Sequence, residues 1–240
     1  MKPEIIDSYE VGLKGSVGRA FSYTLAAYHL EDKDIQVQSF PVVNIPTLTN
    51  AARGRISGFE ATGNLRVDSN ISLNAGFSYI HAKYASFKGA TALLPKPSTY
   101  CPNPNPPGPP GSLMPQGGLC QVPAGLDAAG NWMIRPPQFS GSVGINALYP
   151  VGAGKIEFNG NLYAQSRMYY DPINVFSQKA YATLNASLAY IFPGDRLKVM
   201  LHAENITNTA HILSLQLSTT AASVNYAPPT TYGIRAEYKF

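Results

Sequence analysis

Strict alternation constrains this chain more than any other feature. In "TTYGIRAEYKF", the C-terminal stretch, Tyr232, Ile234, Ala236, Tyr238 and Phe240 fall on one side of an extended backbone. Thr231, Gly233, Arg235, Glu237 and Lys239 fall on the other. Successive β side chains point to opposite faces, so this is a strand with one apolar and one polar face. "KIEFNGNLYAQ" repeats the pattern, with Ile156, Phe158, Gly160, Leu162 and Ala164 opposite Lys155, Glu157, Asn159, Asn161, Tyr163 and Gln165. "YATLNASLAY", "LKVMLHAE", "FSGSVGINALY" and "ISLNAGFSY" do the same. No segment keeps a helical period over three turns.

This alternation predicts nine strands, at about 5–15, 19–38, 50–68, 71–88, 136–149, 155–169, 178–192, 196–208 and 229–240. Their connections differ in length by position. "GSVG", "DSN", "PVGAG" and "PGD" are short, whereas those near 39–49, 89–135, 170–177 and 209–228 are long. In an up-and-down antiparallel meander all the short turns lie at one end and all the long loops at the other. That asymmetry belongs to transmembrane barrels, with short inner turns and long external loops. The strands also exceed the five or six residues usual in soluble sheets and match the roughly 9–11 needed to cross a bilayer.

Composition supports an all-β chain. Only 13% of residues are charged, while there are 21 glycines, 20 prolines, 15 tyrosines and 10 phenylalanines. The net charge is +4, and the basic residues form no run, which argues against nucleic-acid partners. No apolar stretch approaches the ~18–20 residues of a membrane-spanning helix. The polar face mixes Ser, Asn, Thr and Gly with isolated charges, as a wet lumen requires. Tyr28, Tyr79, Tyr84, Tyr149, Tyr169, Tyr170, Tyr190 and Phe192 stand near strand ends, where an interfacial aromatic girdle would lie. A soluble sandwich with tyrosines at its rim is the competing fold.

Five segments, in order, resemble the TonB-dependent outer-membrane receptors. "KPEIIDSYEVGLKG" is similar to that family's KPE-containing strand, and "FSYTLAAYHLEDKDIQV" to the hairpin strand that follows it. "TNAARGRISGFEATGNLRV" resembles the returning strand, "LHAENITN" a late Asn-containing stretch, and "YGIRAEYKF" the terminal strand. The resemblance covers nearly the whole chain apart from the 89–135 insertion. It implies an up-and-down antiparallel transmembrane β-barrel of roughly 22 strands, of which residues 1–240 would be the C-terminal portion. An odd count of nine does not close a bacterial single-chain barrel, and open edges in lipid leave costly unpaired backbone groups. The family's N-terminal plug is expected to be absent from this chain.

The same resemblance implies location in the cell outer membrane and import of a scarce large solute, most simply a ferric siderophore. Its implied partners are outer-membrane lipid, the missing plug and barrel half, the TonB complex through that plug, and the solute. Phe240 occupies the position that resembles the signal read by the barrel-assembly machinery. The alternatives are a passive porin-like barrel and a soluble β-rich binding module. No cofactor is expected, and the catalytic fingerprints are missing: there is no G-x-S-x-G, H-E-x-x-H, P-loop or dinucleotide motif. A lipase-like barrel would need a Ser–His pair at the lipid-facing rim, and neither His29 nor His81 has an evident partner in sequence.

Two sets of candidate site residues remain. Glu10, Lys14, Glu60, Arg66, Lys155, Glu157, Lys198, His202, Glu204, Arg235 and Glu237 are candidates for the lumen face, where each either lines a solute path or pairs across strands. His202 and Glu204 alone make an incomplete metal site. Cys101 and Cys120 flank the centre of the 89–135 segment, which holds twelve prolines between Pro95 and Pro137 and is expected to be an extended, Pro-rich extracellular loop poor in regular structure. A Cys101–Cys120 disulfide suits an oxidising exterior and would stabilise the loop by about 3 kcal/mol. Maleimide should therefore label neither cysteine in intact outer membranes and both after reduction. Labelling without reduction would rule the bridge out.

Overall fold

The computed structural model describes residues 1–42, 45–95, 119–122, 125–218 and 222–240. Nine long strands form one antiparallel sheet: β1 (Ile5–Val17), β2 (Phe21–Val42), β3 (Ile45–Arg66), β4 (Ile71–Phe87), β7 (Phe139–Val151), β8 (Gly154–Gln165), β11 (Tyr181–Ile191), β12 (Leu197–Glu204) and β15 (Thr231–Tyr238). Three small hairpins stand apart from it: β5 (Leu93–Pro95) with β6 (Leu119–Gln121), β9 (Met168–Tyr169) with β10 (Ser177–Gln178), and β13 (Ile212–Leu217) with β14 (Ala222–Tyr226). The sheet is a meander from β1 to β15 with both edges open. Each expected strand is present, with ends displaced by a few residues.

The short turns all fall at one end, and local chemistry makes them tight. Gly152 turns β7 into β8 at φ 60°, a left-handed backbone that a side chain would strain. Between β3 and β4 the Asp68 carboxylate accepts the amides of Asn70 at 2.6 Å and Ile71 at 2.8 Å, closing the turn with a side chain.

Register carries the alternation unbroken across seven strands. One row runs Leu13, Leu25, Ala61, Phe77, Gly141, Ala164, Ala182. The adjacent row runs Lys14, Thr24, Thr62, Gly76, Ser142, Tyr163, Thr183. A one-residue slip anywhere would mix the two faces, and none occurs within these rows.

The long-loop end departs from the sequence reading in three places. Residues 39–49, expected as a loop, are mostly ladder: β2 reaches Val42, β3 restarts at Ile45, and the register irregularity between Ser39 and Val42 falls where Pro41 interrupts the pairing. The described parts of 89–135 hold the short β5–β6 hairpin and two isolated bridges, Lys83 to Trp132 and Ala90 to Leu126. Residues 126–133 run beside β4, bonded through Met133 N to Ala82 O at 3.0 Å, Tyr84 N to Asn131 O at 3.0 Å and Ala128 N to Phe87 O at 2.9 Å. Residues 209–228 contain the β13–β14 hairpin. A neighbouring strand edge offers hydrogen bonds that composition does not reveal. Cys101 lies outside the described residues, and so does the expected Cys101–Cys120 disulfide; the Cys120 backbone in β6 pairs with Leu94 in β5.

The small hydrophobic core sits at this end. Ala52, Tyr84, Phe87, Ala90 and Ala128 are buried together, with Ile35, Met133 and Ile173 packed against them. The 171–176 loop is tied down by Asp171, whose carboxylate accepts the amides of Ile173 at 3.1 Å, Val175 at 3.1 Å and Phe176 at 2.6 Å. Burial pushes the Asp171 carboxyl above the usual carboxylate range, against the pull of those amides. Asn174 then clamps Trp132, its Oδ1 accepting the Trp132 amide at 2.8 Å and its Nδ2 donating to the Trp132 carbonyl at 2.9 Å. Asp171→Ala leaves three amides without their acceptor and should cost about 2–4 kcal/mol of local stability. Hydrogen exchange at Ile173, Val175 and Phe176 should accelerate accordingly, while β8 amides remain protected.

Candidate functional site

The two faces of the sheet differ in chemistry. On one face Val11, Leu13, Phe59, Phe77, Val143, Phe158, Leu162, Leu188, Leu201 and Ile234 are all exposed. A contiguous apolar surface of this extent is incompatible with water and suits hydrocarbon. The opposite face carries every charged lumen candidate. Glu10 pairs with Tyr28, Lys14 with Thr24, Glu60 with Ala26 and Ser78, and Arg66 with Ser72. Farther along, the rows are Lys155, Ile191, Lys198, Glu237, then Glu157, Ala189, Met200, Arg235, then Asn159, Ser187, His202, Gly233.

Within these rows the charges are partly satisfied. Lys198 Nζ donates to both Glu157 oxygens at 2.9 and 3.0 Å, and Asn159 Nδ2 donates to Glu157 Oε1 at 2.9 Å. Lys155 instead reaches the turn and bonds Asp195 at 2.8 Å. Arg235 and Glu204 open onto a polar cleft of about 370 Å³ together with Asn74, Asn146, Asn159, Asn161, Asn185 and His202. The asparagines supply donors and acceptors without net charge, which suits a hydrated passage. Their clustering was visible only as scattered letters in four separate strands; register brings them together.

His202 sits flat against the next strand. A Cβ on Gly233 would come within 2.5 Å of the His202 ring, so only glycine leaves the imidazole its place. His202 Nδ1 is buried without a hydrogen-bond partner. Tyr28 covers Gly58 in the same manner, another aromatic ring seated on a cross-strand glycine. His202 and Glu204 are not joined by a third ligand: among the described residues no three His, Cys, Asp or Glu side chains converge.

Beyond β12, Asn205 in the "LHAENITN" segment has a structural task. At φ 50°, its Nδ2 bonds Thr209 O at 3.1 Å and Pro228 O at 3.0 Å, while its Oδ1 accepts the Thr209 amide at 3.0 Å. It thereby fastens the β12 exit to the start of β15. Phe240 follows β15 on the apolar face, exposed, with its ring 5.2 Å from that of Tyr238.

His29 corrects the sequence reading. Its Nδ1 lies 2.8 Å from Ser57 Oγ, a Ser–His pair on the apolar side of the sheet. Pairing of β2 with β3 brings together residues 28 positions apart, which linear spacing could not reveal. Among the described residues no carboxylate bonds the imidazole, so the pair lacks the group that orients the base in a hydrolytic triad.

Long antiparallel strands, one apolar and one polar face, and open edges define a section of wall from an outer-membrane β-barrel larger than this chain. The profile of the TonB dependent receptor-like β-barrel family matches residues 1–206, and the chain belongs to that family. Its fold is similar to the ferric yersiniabactin uptake receptor FyuA from Yersinia pestis, with TM-score 0.74, 17% identity, 99% of this chain and 30% of that chain covered. It is also similar to BauA, the ferric preacinetobactin receptor from Acinetobacter baumannii, with TM-score 0.66, 20% identity, 98% of this chain and 29% of that one. The ferripyoverdine receptor of the Pseudomonas aeruginosa outer membrane aligns at TM-score 0.65 and 14% identity, over 100% of this chain and 28% of its own length. No curated protein sequence matches. The chain thus spans about three-tenths of the length of the receptors whose fold it shares.

The Glu157–Lys198 pair is only about a quarter exposed, at 27% and 26%. A double-mutant cycle with Glu157→Gln and Lys198→Met should show coupling of about 0.5–1.5 kcal/mol. Urea titration of the heat-modifiable folded band measures it, and additivity would mean that the pair contributes nothing.

Proposed function

We propose that this chain forms part of the wall and external loops of a TonB-dependent receptor that imports a ferric siderophore. The observation that carries the reading is the alignment of all nine strands with receptors whose own ligands are ferric siderophores. The Asn-rich polar face would line the barrel interior, where uncharged donors and acceptors let a large polar solute pass without trapping it. Glu60, Arg66, Arg235, Glu204, His202 and Glu237 would face that space, and the Glu157–Lys198 and Lys155–Asp195 pairs would brace neighbouring strands. The long-loop end, including residues 89–135 and the Cys101–Cys120 bridge, would face the exterior and take part in capture.

In this reading the plug and the rest of the barrel lie outside these nine strands, and energy from the TonB complex acts through the plug. The wall performs no chemistry on the solute. Phe240 would serve in assembly, its exposed ring ending the terminal strand on the lipid side.

Deleting the gene in source cells starved of iron should abolish uptake of one radio-iron-labelled siderophore and leave others unchanged. That uptake should also stop when the proton-motive force is collapsed. Unchanged uptake of every ferric siderophore would overturn the reading, and uptake that survives collapse of the gradient would indicate a passive pore.

A further inference from the structure

The apolar face is not uniform. Across β2, β3, β4, β7 and β8 it is indented by a groove of about 830 Å³. Ala61, Gly63, Ala75, Gly141 and Ala164 floor it, because their small side chains leave space where neighbouring positions carry rings. Phe21, Tyr23, Phe77 and Phe139 stand around it. The size is that of a small-molecule site, roughly 300–1,000 Å³, and the surface available to an occupant is almost wholly carbon.

Directly above, toward the long loops, the same face changes character in two steps. First comes a polar row of His29, Ser57 and His81, in register across β2, β3 and β4. Next comes a charged row of Glu31, Arg55 and Lys83, with Asp7 opposite Glu31 on β1. Lys33 pairs with Asp7 at 2.6 Å and Arg55 with Glu31 at 3.6 Å. Arg53, exposed on the same side as Arg55, and Lys83 are cations beyond those pairs. Lys83 Nζ lies 4.8 Å from the Trp132 ring centroid, and His81 meets the same ring at 5.0 Å, so an indole of the type found at membrane interfaces sits beside the cations.

The vertical spacing matches one lipid. From Lys83 to Ala75 along β4 is eight residues, roughly 26 Å at about 3.3 Å per residue. A strand tilt of about 40° reduces this to roughly 20 Å along the membrane normal. That is one leaflet of a bilayer about 40–45 Å thick. Arg53 and Lys83 would therefore meet a phosphate, His29, Ser57 and His81 the ester and hydroxyl level, and the groove an acyl chain.

We propose that this surface is a binding site for an acylated, phosphate-bearing lipid of the leaflet on the long-loop side. Charge complementarity decides the occupant: a second copy of the chain would bring the same excess of cations against this one, whereas an anionic lipid neutralises it. The site depends on the barrel wall and is independent of which solute the receptor carries.

Spin-labelled phosphatidylglycerol and phosphatidylcholine, each doped into phosphatidylcholine vesicles containing the complete receptor, test the site. The expected result is a larger motionally restricted fraction for phosphatidylglycerol. Arg53→Glu with Lys83→Glu should remove that preference, and Ala61→Phe should fill the groove and lower the restricted fraction of both labels. Heat-modifiable mobility establishes that each variant is folded. Equal restriction of the two labels by the unaltered receptor would overturn the proposal. So would folded variants that behave as the parent, or a groove variant whose effect is to separate dimers.

Discussion

Every feature of this protein rests on one requirement: backbone amides and carbonyls facing hydrocarbon must find partners within the sheet. Nine strands meet it by pairing each with its neighbours, with register shifts at the long-loop end of the β2–β3 and β3–β4 pairs. The pairing has a second consequence. Because cross-strand partners share a face, register sums the alternation of nine separate segments into two extended surfaces of opposite chemistry. Phe77 and Gly76 are adjacent in the chain, yet one belongs to a row ending at Ala182 and the other to a row ending at Thr183. The two open edges leave the requirement unmet at β1 and β15, which is why these strands make sense as part of a larger barrel.

Where the sheet rises beyond the apolar belt, the source of stability changes. In the belt no large side chain is wholly buried, and ladder bonds with lipid contact hold the strands. At the long-loop end the chain builds a small core around Tyr84 and Phe87, and polar side chains tie down the irregular segments nearby. Asp171, Asn174 and Asn205 each satisfy several backbone groups of irregular segments at once.

Much of the wall was legible from alternation alone, because burial of one face in lipid imposes a period of two that no soluble loop needs. Strand number and the end carrying the short turns followed from that period, whereas the charged row of Glu31, Arg55 and Lys83 on the apolar side did not. The β2–β3 extension was hidden by Pro41 and Pro46, whose composition reads as loop although an isolated hairpin tolerates missing donors. The backbone bonding of residues 128–133 to β4 was hidden because that partner lies more than forty residues away in sequence. For the same reason neither the asparagine cleft nor the Ser57–His29 pair could be read from spacing.

The amino-acid sequence by itself determined that this chain forms long antiparallel strands with one lipid-compatible face, since side-chain direction in a strand follows from position parity. Its motifs also carried the family resemblance. Tertiary structure alone decided which residues of different strands stand level with one another. That placement created the Glu157–Lys198 pair, the seat of His202 on Gly233, the Asp171 knot and the groove beneath His29 and Lys83. Each depends on register between segments distant in the chain, and register is a property of paired strands that no single strand contains.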